Sequence, residues 1–162
     1  SGTPTYGFED DTIAADGRRV TMLWNVTRLV DADGQVEGIV AIGQDVTALK
    51  ETERRFRALF EQSQDALFIY GRDGVEDCNE AAVRLLRAPS RPALLGRRLS
   101  ELSPPTQGGG HSSEARNREV ERVLEQQGSH RFDWVHQRFD GTTLPVEVSV
   151  THIEVGGDRR TL

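Results

Sequence analysis

A single cysteine, Cys78, among 162 residues leaves no partner for an intrachain disulfide and removes every multi-cysteine zinc site. No apolar run approaches the ~20 residues that cross a bilayer, and the N-terminus lacks a charged-then-apolar leader pattern, so no membrane contact is expected within these residues. Basic residues never gather into a stripe. The formal net charge is −6, acidic and basic side chains alternate, and no basic face is interleaved with aromatics, which excludes nucleic acid as a partner. A reducing, cytoplasmic setting fits the lone thiol, in a free protein or in the cytoplasmic part of a membrane-anchored parent. Ser1-Gly2 carries no motif and is given no function.

What the chain does have is a repeat. Phe8, Asp16-Gly17, Val20, Val26 and Thr27 return in the same order and spacing as Phe132, Asp140-Gly141, Leu144, Val150 and Thr151. Each copy reads as a strand, a turn and a longer strand. A repeat of this length indicates two tandem domains of one family, because solenoid units run only ~20 to 50 residues. The first copy continues through Gly38-Ile39-Val40-Ala41-Ile42 to Asp45-Val46-Thr47, whereas the second stops at Leu162. The expectation is therefore one nearly complete domain, short of its last strand, preceded by the tail of another. At 36% hydrophobic residues the chain builds one ordinary core with material left over.

The period changes from two to 3.6 at Asp45-Val46-Thr47. Leu49, Phe56, Leu59 and Phe60 fall on one helical stripe, and Asp45 or Thr47 is placed to cap the first turn. Strands are expected at 66–70 and 75–78 around Asp73-Gly74, then a short helix Glu80–Leu86 capped by Asn79. Pro89 and Pro92 end it, and Pro104 to Gly110 is a loop. A further helix runs from Ser112 or Ser113 to Gln127, with Gly128 after its end. Phe132–Arg138 and Leu144–Glu154 then form the second hairpin.

This order resembles the plan of PAS domains, and local motifs agree. Asp77-Cys78-Asn79-Glu80-Ala81-Ala82 resembles the family's strand-to-helix segment, and Pro92-Ala93-Leu94-Leu95-Gly96-Arg97 its "ELLGR" turn. Phe139-Asp140-Gly141-Thr142-Thr143-Leu144-Pro145-Val146-Glu147-Val148-Ser149 looks like its "kDGt.fpvevs" hairpin, and Asp45-Val46-Thr47 matches its closing "D-[IV]-T" triplet. The resemblance implies an α+β PAS fold: an antiparallel sheet with short helices packed on one face, preceded by a three-stranded tail of a previous PAS domain and a linker helix. The expected divisions are 1–47 for the tail, 48–60 for the linker signalling helix and 61–162 for a second domain lacking its final strand. On this reading residues 36–46 are similar in pattern to the missing strand and available to fill its place.

Catalysis finds no support, because no local signature pairs Cys78 with His111, His130, His136 or His152. The resemblance implies a sensory or regulatory module of a larger signal transducer, a histidine kinase or cyclic-di-GMP enzyme. Such a module reads a small ligand or a partner's state and relays it through the linker, with Asp45, Thr47, Leu49 and Phe56 as coupling residues. PAS domains enclose a small apolar cavity, and its expected lining is Leu67, Ile69, Val83, Leu86, Leu99, Val120, Leu124, Phe132, Trp134, Val146 and Val148. Core packing alone accounts for each of these first, because an alternating strand must bury one face whether or not a ligand binds. No cofactor is expected. Light-sensing relatives carry their flavin-reactive cysteine in an "N-C-R-F-L" context, whereas here the order is Cys78-Asn79-Glu80-Ala81, which rejects a flavin adduct. His111 falls near the position of the haem-binding histidine of oxygen-sensing relatives, so a haem-based gas sensor is the lesser alternative. Gly156-Gly157-Asp158 reads as a turn and not as a cyclase motif. A ligand-free dimerisation scaffold is the other alternative, since the stripe of Leu49, Phe56, Leu59 and Phe60 needs a partner; a homodimer would form through that helix or through exposed sheet edges.

Overall fold

Alternating residues on either side of Asp16-Gly17 and Asp33-Gly34 fold into three antiparallel strands in the computed structural model, which describes residues 5–162. Ser1-Gly2 lies outside the described residues. The strands are β1 (Thr5–Ile13), β2 (Arg19–Val30) and β3 (Val36–Asp45), in the order β1-β2-β3. An aspartate organises each turn: Asp16 accepts from the Arg18 amide at 3.0 Å, and Asp31 accepts from the Asp33 and Gln35 amides at 2.9 and 2.8 Å. Phe8, Trp24 and Gly43 stand side by side across the sheet. A Cβ at Gly43 would lie 2.7 Å from the Trp24 ring, so the indole rests on a bare backbone.

The chain divides into two compact units, Ser1–Ala58 and Leu59–Leu162, and helix α1 (Thr47–Gln62) begins in the first and ends in the second. Its start is stitched to β2. Asp45 Oδ1 accepts from the Thr47 amide at 2.9 Å, Val46 N–H donates to Thr21 O at 2.9 Å, and Thr47 Oγ1 accepts from the Thr21 amide at 2.9 Å. Lys50 reaches Glu9 of β1 at 2.7 Å.

In the second unit, β4 (Phe68–Gly71) and β5 (Gly74–Cys78) lead into α2 (Glu80–Leu86). Two 3-10 turns, Arg91–Ala93 and Leu99–Leu102, follow it, and then α3 (Ser113–Gln127), β6 (Ser129–Gln137), β7 (Thr143–Val155) and β8 (Asp158–Thr161). The five strands form one antiparallel sheet in the order β5-β4-β8-β7-β6. The expectation of a missing final strand is corrected here. Gly156 and Gly157, both at positive φ, turn the chain so that Asp158–Thr161 pairs with β7, and Thr161 pairs with Tyr70 of β4. No apolar alternation marks this strand; its ladder to β7 places it, and Arg160 meets Glu76 at 2.5 Å and Arg159 meets Glu125 at 3.3 Å. Residues 36–46 accordingly have no gap to fill in this sheet, and they pair with β2.

The core of the second unit consists of two clusters. Val75, Cys78, Ala82, Val83, Leu86, Leu94 and Leu102 make one; Val120, Phe132 and Trp134 make the other, with Leu99, Val146, Val148 and Val150 packed against it. Ser112 caps α3 by accepting from the Ala115 amide, and Gly128 closes it at φ 76°.

Both edges of this sheet meet other groups. On β5, Val75 N–H donates to Arg97 O at 3.0 Å and Val75 O accepts from Gly96 N–H at 2.8 Å. On β6, the Gln107 side-chain amide accepts from Val135 N–H at 2.8 Å and donates to Val135 O at 3.0 Å. Pro145, which has no N–H, sits opposite Val135, whose own backbone groups point away from β7.

Gly74 adopts φ 130°, and a Cβ there would meet the Gly96 carbonyl oxygen at 2.6 Å, whereas Gly17 at φ 85° has open space around it. Gly17→Ala is expected to cost about 1 kcal/mol, the left-handed penalty alone. Gly74→Ala adds a backbone clash and should cost roughly 3 kcal/mol. Urea unfolding followed by tryptophan fluorescence, with Trp24 in the first unit and Trp134 in the second, measures the two.

Candidate functional site

A strand ending in Asp77-Cys78 must hand over to a helix whose first amides lack partners, and Asn79 performs that exchange with no exposed surface of its own. Its Oδ1 accepts from the amides of Leu67 and Ala82, both at 3.0 Å. Its Nδ2 donates to the carbonyls of Phe60 at 3.0 Å and Asp65 at 2.9 Å. One amide group thus joins the last turn of α1, the segment before β4, the end of β5 and the first turn of α2. Phe60, 4% exposed, is the one buried residue of α1. Glu61 beside it accepts from the Glu80 amide at 3.2 Å and pairs with Arg91 at 2.5 Å, while Arg91 also reaches Asp77 at 3.6 Å.

The inner face of β6 fills the space between sheet and helices. Phe132, Trp134 and His136 are all buried, and Phe132 and Trp134 meet edge to face at 5.8 Å. Trp134 Nε1 donates to Ser103 Oγ at 2.9 Å, which donates in turn to Leu99 O at 2.6 Å. His136 Nδ1 lies 3.0 Å from Leu102 O; a carbonyl only accepts, so this nitrogen carries the proton. Burial pushes the His136 pKa down, partly opposed by that hydrogen bond. Beside this filled interior, a cleft of about 440 Å³ opens between α3, the β4–β5 turn and the second 3-10 turn. Leu99, Val120 and Leu124 line it together with Tyr70, whose phenol burial pushes well above its ordinary pKa.

The β6–β7 turn docks on the end of α2. Phe139 N–H donates to Leu86 O at 3.0 Å, Arg138 Nε donates to Leu85 O at 3.0 Å, and Asp140 pairs with Arg87, the left-handed cap of α2. The Thr142 hydroxyl and amide, and then Arg87, hold the Asp140 carboxyl well below the usual carboxylate range.

Comparison with known proteins agrees with this architecture. A family model described as a PAS domain matches residues 64–162, and one described as a PAS fold matches residues 2–51. The chain belongs to the PAS domain family. A Methyl sulfide methyltransferase-associated sensor of Methanosarcina acetivorans is 32% identical over 118 residues, which are 72% of this chain and 11% of that protein. The chain therefore spans about a tenth of that relative. The PAS domain of an HTR-like protein from Haloarcula marismortui superposes with a TM-score of 0.56 at 24% identity, over 70% of this chain and 89% of that one. A PAS domain from a two-component sensor histidine kinase gives a TM-score of 0.56 at 22% identity, over 69% and 93%. These two likenesses are of fold. This PAS chain resembles sensor domains, and no helix among its described residues is long and apolar enough to cross a membrane.

The pocket lining expected from sequence does not converge on one cavity. Val83 and Leu86 belong to the first core cluster, and Val120, Phe132 and Trp134 to the second, against which Leu99, Val146 and Val148 pack. Only Leu99, Val120 and Leu124 of that set line the 440 Å³ cleft, while Trp134 and Val146 border a separate one beside Gln107. Leu67 and Ile69 are half-buried and sit in neither cluster; alternation along β4 gives the core face to Phe68 and Tyr70. Among the coupling residues, Asp45 and Thr47 bind the start of α1 to β2, and Leu49 and Phe56 are exposed. His111 is exposed next to Gly108–Gly110 and lines the same cleft as Gln107, Trp134 and Val146. Sequence reasoning identified Asn79 only as a cap. Its carbonyl partners on Phe60 and Asp65 are backbone atoms distant in sequence, and no side-chain pattern announces them.

Two outcomes follow. Cys78 has no exposed surface and burial pushes its thiol pKa up, so iodoacetamide should label it only after unfolding, as read by mass spectrometry. His136 is held neutral, whereas the unfolded imidazole titrates near pH ~6.5. Its folded pKa is the lower one, so its contribution is constant above about pH 6.5 and is lost as pH falls toward the folded value. Between pH 7.5 and 5.5 the urea midpoint of His136→Leu should fall less than that of the unaltered protein.

Proposed function

We propose that this chain is the sensory relay of a larger signal transducer, in which the state of the second unit is read out through α1. The supporting observation is the Asn79 side chain, whose four hydrogen bonds tie the Phe60 carbonyl at the end of α1 to the β5–α2 junction. The same helix starts on Asp45, Val46 and Thr47, each bonded to its neighbour or to β2. A change in packing around β5 and α2 that moves Asn79 moves the last turn of α1 with it, and a continuous helix carries the displacement toward β2. The input is a small ligand or a partner's state. The chain itself performs no chemistry, and catalysis resides elsewhere in the parent, a histidine kinase or a cyclic-di-GMP enzyme. The small share of the archaeal sensor that this chain matches favours a module within a longer signalling protein. The setting proposed is the cytoplasm.

A second reading is favoured by one feature: Leu49, Phe56 and Leu59 of α1 are 67%, 54% and 74% exposed. On this reading α1 is the seam of a ligand-free homodimer. Sedimentation equilibrium of Leu49→Glu/Leu59→Glu discriminates, since a scaffold loses its dimer and its output together.

The relay is tested with Arg91→Gln, which removes the guanidinium from Glu61 and Asp77. Output of the intact protein should shift while the unfolding free energy changes by less than about 1 kcal/mol. Hydrogen exchange should rise together at residues 59–62 and 80–83. Unchanged output with faster exchange at both segments would refute the relay.

A further inference from the structure

The cleft beside α3 brings apolar and cationic side chains together. Leu99, Val120, Leu124 and Val150 are among its lining residues, and so are Arg72 and Arg98, both exposed. Two carboxylates of α3 also reach the cleft, but both are engaged: Glu114 accepts from Arg118 at 2.7 Å and Glu121 from the Asn117 amide at 2.7 Å. No carboxylate among the described residues lies within ion-pair distance of Arg72 or Arg98. The chain as a whole carries a net charge of −6, so two unengaged guanidiniums beside apolar side chains run against its general electrostatic character. A guanidinium binds a carboxylate through paired N–H donors in a plane, and it strengthens such a bond next to low-dielectric surface. The volume, about 440 Å³, lies within the range of small-molecule sites.

We propose that this cleft binds a small organic monocarboxylate, its head on Arg72 and Arg98 and its short apolar body on Leu99, Val120, Leu124 and Val150. This rests on the sensory reading above and names the chemistry of the input. Binding draws the β4–β5 turn, which carries Arg72, toward the segment of Arg98. Those two segments already exchange backbone hydrogen bonds through Val75, Gly96 and Arg97, so the ligand adds a second clasp across them.

The test is calorimetric titration of the whole chain with hexanoate, hexanamide, hexylammonium and inorganic phosphate. Hexanoate should bind at least about tenfold more tightly than hexanamide, and hexylammonium should not bind. Arg72→Gln and Arg98→Gln should each weaken hexanoate about tenfold, leave hexanamide unaffected and leave the urea midpoint unchanged. Equal affinity for the acid and the amide, retention of hexanoate binding in both variants, phosphate binding as tightly as hexanoate, or no binding by any probe would each overturn the proposal. These failures differ from failure of the relay. If the acid preference is absent while Arg91→Gln still shifts output, the relay stands without this ligand. If hexanoate binds as expected and hydrogen exchange at 59–62 does not respond, the site stands and the relay falls.

Discussion

The Asn79 amide is the constraint on which the second unit depends. Four backbone groups from three segments besides its own converge on it: Phe60 at the end of α1, Asp65 and Leu67 before β4, and Ala82 in α2. A buried polar group without a partner costs on the order of 1 to 3 kcal/mol, so displacing this one side chain disturbs four segments together. Shape follows as well as energy. Because the carboxamide is planar, with two donors on one nitrogen and one oxygen accepting twice, the ends of α1 and β5 and the beginning of α2 take up a fixed mutual arrangement. The Glu61–Arg91–Asp77 group then adds charge around that fixed point, half-buried and adjustable.

Much of this fold was legible in the sequence, for identifiable reasons. The Asp-Gly turns, the helical stripe of α1 and the caps at Asn79 and Ser112 are local signals, and local signals survive folding intact. The family motifs indicated the architecture as a whole. What eluded sequence reasoning was non-local. Strand β8 is Asp158-Arg159-Arg160-Thr161, a run with no apolar pattern, and its place is set by ladder bonds to β7 and by Glu76 and Glu125 on other elements. Leu67 and Ile69 are expected in the cavity lining from the family resemblance, and the alternation of a short strand turns Phe68 and Tyr70 to the core instead. For the candidate site, the apolar lining was legible as residue types but not as a shared cavity. Arg72 and Arg98 carry no motif at all, and only folding brings them to one cleft.

The interior of the second unit is filled by hydrogen-bonded aromatic side chains. Trp134 occupies the centre, tied to Ser103, with Phe132 against its edge and His136 bonded to Leu102. These residues lock the second 3-10 turn to β6. Space is left toward α3, where Leu99, Val120 and Leu124 line the cleft.

The Gln107 amide on the edge of β6 has a consequence for how this sheet meets other chains. A primary amide offers one donor and one acceptor at nearly the spacing of a peptide group, so Val135 meets a counterfeit rung where a neighbouring strand would begin. At the opposite border Gly96 and Arg97 place a true peptide group against Val75. Each edge thus carries a plug at one residue, a side chain at Val135 and a loop at Val75. A strand added at Val135 or Val75 would first have to displace its plug.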